Sequence, residues 1–93
     1  MSEKRFTSVW DAIEDSPSEA ENLKLRAKLM IAIVAYIERE GISQAQAAKL
    51  LGVSQPRISD LARGKIDLFS IDTLVNMLAA TGQRVKLDIA KSI

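Results

Sequence analysis

Hydrophobic positions recur at helical spacing in five stretches of the chain and at strand spacing in one. Phe6, Val9, Trp10 and Ile13 fall at i, i+3, i+4 and i+7, one face of a short helix that Thr7 or Ser8 would cap. Asp11, Glu14 and Asp15 make its other face acidic. Ser16-Pro17-Ser18-Glu19 then reads as a second helix start: a capping serine, a proline where no intrahelical N–H is needed, and an acid at the third position. That helix is expected to run to about Glu40 and stop at Gly41. Leu23, Ala27, Met30, Val34 and Ile37 form one apolar stripe along it, and Leu25, Leu29, Ile33 and Tyr36 approximate a second. A helix apolar on two sides needs cover on two sides. One side suits the helices that follow; the other suits the N-terminal arm or a second subunit.

Ser43 to Lys65 reads as two short helices joined by a tight turn. Ser43 and Gln46 have the S-x-x-Q spacing of a capping box. Ala47, Ala48, Leu50 and Leu51 give the first helix an apolar side, and Gly52 ends it. Ser54 caps the second, Pro56 sits in its first turn, and Ile58 and Leu61 share a face. Helices linked this closely cross steeply, so a small residue such as Ala48 is needed at the crossing. After a connector from Lys65 to Phe69, Ser70 caps a further helix to about Thr81, closed by Gly82. Ile71, Leu74, Val75, Leu78 and Ala79 are its expected core stripe.

The tail changes period. Val85, Leu87 and Ile89 alternate with Arg84, Lys86 and Asp88, the signature of a half-buried strand. A lone strand needs a mate, and no other stretch of the chain supplies one. The same strand of a second subunit is one answer, giving a two-fold dimer. A partner protein's strand is the other. Residues 1–15 are thus expected as an arm, 16–82 as the domain, and 83–93 as the strand and tail.

Composition narrows the function. Ninety-three residues make one small domain with 47% hydrophobic positions. With no cysteine there is no disulfide or thiolate metal site, and with no histidine the commonest general base and metal ligand are missing. Asp11 and Glu14 share a helix face, but nothing assembles a catalytic site around them, so an enzyme is not expected, and neither is a cofactor. The start, MSEKRF, is charged, and the longest apolar run, Leu29 to Ile37, is too short to span a bilayer; a cytoplasmic protein with no membrane partner is expected. The net charge of +1 is unevenly placed. Residues 1–22 carry six acids and two bases, whereas Gly41 to Ile66 carries four bases and only Asp60. A basic surplus over the two short helices is the direction that phosphate binding requires.

The pattern G-x-S-x-x-x-I-S-x-L-x-x-G-K from Gly52 to Lys65 resembles the helix-turn-helix of lambda and Cro type repressors, the XRE family, and the resemblance extends from about Ile42 to Gly82. It implies an all-α, five-helix lambda-repressor-like fold, to which the tail adds a short C-terminal strand paired across a dimer. It also implies double-stranded DNA as the partner, with the helix headed by Gln55 in the major groove. Outward of Ile58 and Leu61, the candidate base readers are Gln55 toward adenine, Arg57 toward guanine, Pro56 by apolar contact, Ser59, and Asp60, which accepts from cytosine or holds Arg57. Ser43 and Gln44 at a helix N-terminus, with Ser54, Arg63 and Lys65, are the candidate phosphate contacts. By resemblance to lambda-type repressors, the position of Gln44 is such a contact.

The whole layout, with FTSVWDAIED and GKIDLFSIDTLVNMLAATG, is similar to HigA-type antitoxins. A sequence-specific repressor acting as a homodimer on a palindromic operator is expected, and that likeness implies that it represses its own operon and neutralises a RelE/HigB-like toxin. A stand-alone repressor and a protein-occluding module that reads no DNA are the alternatives. Trp10, Val85, Leu87 and Ile89 are the candidate partner or dimer residues.

Overall fold

A computed structural model describes residues 16–91. The helix expected over Phe6 to Ile13, with Trp10, lies outside these residues. Four α-helices and one short 3-10 turn make up the described part: α1 (Pro17–Glu40), α2 (Gln44–Leu51), α3 (Gln55–Ala62), the turn Ile66–Leu68, and α4 (Ile71–Ala80).

Each boundary has a local cause. At the head of α1, Ser16 is extended but its side chain makes no capping hydrogen bond; its hydroxyl lies 3.4 Å from that of Ser18. Pro17 and Glu19 therefore mark this start without the expected serine cap. Gly41 ends α1 in the left-handed region at φ 64°, and its N–H donates to the Ile37 and Glu38 carbonyls. The expected capping box of α2 is present: the Gln46 N–H donates to Ser43 Oγ at 3.1 Å, and the Ser43 N–H donates to Gln46 Oε1 at 2.8 Å. Gly52 closes α2 at φ 71°, a conformation that a side chain would strain. Ser70 caps α4 by accepting from the Thr73 N–H.

α1 packs along α4 and touches the 3-10 turn and α3, while α2 pairs with α3 and also meets α4. Ile33 of α1, Ala47 of α2, Ile58 and Leu61 of α3, and Leu74 and Met77 of α4 meet in one core with almost no solvent contact. Phe69 joins them from the connector, where an extended backbone turns its ring inward. Leu50, Val75 and Ala79, expected in apolar stripes, are exposed instead. The stripe of α4 is narrower than its sequence suggests: Leu74, Met77 and Leu78 fill it, and Val75 is rotated off its edge.

The strand expected over 84–89 is not formed. No strand occurs among the described residues, so within them the tail's backbone has no ladder to join. Val85 packs half-buried against the core, whereas Leu87 and Ile89 stand 69% and 81% exposed. Among the described residues, no helix is long and apolar enough to cross a membrane.

Replacing Phe69 by Ala should destabilise the protein by about 3–5 kcal/mol, because the cavity opens inside a closed core. Leu50→Ala should change stability by less than about 1 kcal/mol. Urea denaturation of the two variants checks both values.

Candidate nucleic-acid interface

The geometry of α3 follows from what holds it. Ser54 is extended at φ −74°, ψ 157°; its hydroxyl accepts from the Arg57 N–H at 3.4 Å, and its carbonyl accepts from the same N–H at 3.1 Å. Ile58 and Leu61 point into the core and fix the roll of the helix. Gln55, Pro56 and Arg57 are consequently exposed at its N-terminal end. Ser59 and Asp60, also expected on the outward face, are only half-exposed. The helix ends at Arg63, which is exposed, and Gly64 at φ 72° turns the chain toward Lys65. Ser43 and Gln44 are exposed at the head of α2, and Ser54 is exposed at the head of α3. The structure thus leaves all five candidate phosphate contacts open to solvent.

Two of the expected base readers have neighbours that the sequence did not announce. The Arg57 guanidinium donates from Nη1 to the Leu68 carbonyl at 3.2 Å and lies over the Phe69 ring, 5.4 Å from its centroid. Asp60 does not hold Arg57. Its carboxylate faces Lys65 at 3.8 Å, and its carbonyl accepts from the Lys65 N–H. Arg57 is therefore positioned by the connector beneath it, and Lys65 by Asp60.

A second arginine holds the other end of that connector. Arg26 of α1 donates from Nη1 to the Ile66 carbonyl at 3.1 Å, while its Nε donates to Asn22 Oδ1 at 2.6 Å. The turn Ile66–Leu68 is thus pinned at both ends by guanidinium groups, one from α1 and one from α3. Arg26, Leu68 and Phe69 were not legible as site residues, because the bonded partners lie 40 and 11 residues apart. The tail contributes nothing to this surface: Val85 packs on the core, and Leu87 and Ile89 lie near the N-terminal half of α1. Among the described residues, no cluster of acidic, histidine or cysteine side chains could hold a metal ion.

Comparison with known proteins places this arrangement. A family profile described as a helix-turn-helix domain matches residues 12–90. An uncharacterized HTH-type transcriptional regulator of Haemophilus influenzae is 29% identical over 83 residues, 86% of this chain and 84% of that protein. A solved structure, described as a candidate XRE family transcriptional regulator, superposes with a TM-score of 0.73 at 38% identity, covering 80% of this chain and 83% of the other.

Arg57→Ala should lower stability by about 1 kcal/mol, since it removes one charged hydrogen bond and a partly exposed cation–π contact. Faster amide exchange confined to the Ile66–Phe69 segment would confirm the clamp; unchanged exchange there would remove it.

Proposed function

Because the chain belongs to the XRE family of helix-turn-helix transcriptional regulators, we propose that it is a sequence-specific repressor that binds a palindromic operator as a dimer. One observation carries this reading: Ile58 and Leu61 are buried while Gln55, Pro56 and Arg57 of the same short helix face solvent. A helix held from beneath and open above fits the major groove. With two-fold symmetry, half-sites would lie about 34–36 Å apart.

Gln55 is the leading base reader, because its exposed amide can pair bidentately with adenine. Arg57 is the second. One of its five N–H donors is engaged by the Leu68 carbonyl, and the remaining four are available to a guanine or a phosphate. Pro56 adds apolar contact, and Ser59 and Asp60 lie at the edge of the reading face. Ser43, Gln44, Ser54, Arg63 and Lys65 set register through phosphates and carry no sequence information.

A narrower reading makes the chain the autoregulating antitoxin of a RelE/HigB-like toxin. It is supported by exposed Leu87 and Ile89, alternating with polar residues on a tail that has no strand mate among the described residues. A partner's sheet edge could add to such a segment. Co-purification with the product of an adjacent small gene tests this reading; the absence of any such complex leaves a stand-alone repressor.

Gln55→Ala should weaken binding to the selected operator by about 1–3 kcal/mol and relax one base preference. Equal loss on all duplexes would count against base reading. Arg63→Ala and Lys65→Ala should instead weaken binding to every sequence and each reduce the salt slope by about 0.9. Fluorescence anisotropy titrations across a range of salt concentrations separate the two behaviours.

A further inference from the structure

α1 carries a second, largely apolar face centred on Ile31; the end of α3 borders it on one side, and on the other Lys24 and Lys28 line a neighbouring groove with Leu87, Asp88 and Ile89 of the tail. Ile31 is 68% exposed on this face. Beside Ile31 runs an apolar groove of about 370 Å³, lined on one side by Ala27, Ala35 and Glu38 of α1. Its other wall comes from Ala62 and Gly64 at the end of α3.

The side chains on this face fall into pairs at equal distance before and after Ile31, alike in one pair and complementary in the others. Ala27 and Ala35 lie four residues to either side, small enough for close approach of another helix. At three residues stand exposed Lys28 and half-buried Val34, which packs partly on the core and leaves an edge that an aliphatic lysine stem can cover. At seven residues, one heptad each way, stand Lys24 and Glu38, both exposed and of opposite charge.

We propose that this face of α1 binds the same face of a second copy, antiparallel, with the two-fold axis passing beside Ile31. In such a pairing a residue n places before Ile31 meets the residue n places after it in the partner. Lys24 of one copy then meets Glu38 of the other, twice, and alanine meets alanine. A heterologous partner would impose no such relation between the two ends of the stripe. Lys24 lies 3.4 Å from Glu21 of its own helix, an exposed pair that leaves it free to exchange. The groove wall from α3 then becomes part of the interface, so the dimer contact sets the spacing between the two helices proposed to read DNA. The inference rests on the dimeric repressor reading and assigns the interface that reading needs.

Sedimentation equilibrium of the full chain without DNA tests it. The native protein should be dimeric, and Ile31→Glu should be monomeric with unchanged helical circular dichroism and a melting temperature that no longer rises with protein concentration. Lys24→Glu and Glu38→Lys should each raise the dimer dissociation constant by about tenfold, and the double variant should return to within about threefold of the native value. Leu87→Arg with Ile89→Arg should leave the dimer intact. A monomeric native protein, a dimer that survives Ile31→Glu, a double charge swap no tighter than the single ones, or dissociation by the tail substitutions would each overturn the inference. Duplex titration is read separately: a dimer that dissociates on Ile31→Glu yet ignores DNA upholds the interface and removes the repressor reading.

Discussion

Everything on the outward surface depends on the burial of Ile58 and Leu61. α3 has eight residues, and a helix that short does not hold its shape in water by itself. Sinking these two side chains among α1, α2 and the connector stabilises it by roughly 1.5–3 kcal/mol each. The burial sets position and roll together, since the residues next to each anchor are turned outward by helical geometry. Ala47 and Ala48 on α2 belong to the same constraint, because larger side chains there would lift α3 away from its seat.

The connector after α3 shows how a loop is made stiff without regular structure. Phe69 is buried, and the turn before it is gripped by Arg26 from one helix and Arg57 from another. Guanidinium suits this work because it is planar and rich in donors, so it can stack on a ring, bond a carbonyl and still face solvent. α1 thereby supports α3 twice, once through core packing and once through the turn.

Much of this was legible in the sequence, for identifiable reasons. Capping and turn signals are local, so the capping box at Ser43 and Gln46, the stop at Gly52 and the start at Ser70 were readable from adjacent residues. The buried face of α3 was readable too, because it depends only on a short periodicity. Long-range pairings were not. Nothing near Arg57 announces Leu68 or Phe69, and nothing near Arg26 announces Ile66. Leu50 and Val75 were placed in the core by periodicity, but which edge of an apolar stripe is covered depends on the neighbouring helix. The alternation at Val85, Leu87 and Ile89 gives a strand's pattern, yet a strand exists only with a hydrogen-bonding mate, and among the described residues there is none.

The division of labour within α3 bears on how the surface can change over evolutionary time. Gln55 and Pro56 are exposed and stand outside the buried core, so mutation can vary them while the scaffold stays intact. Arg57 is different. Its guanidinium faces outward and also braces the backbone at Leu68 and the ring of Phe69. Lineages that diverge in preferred sequence should therefore drift freely at the first two positions, and at the third only where a compensating change arises in the connector.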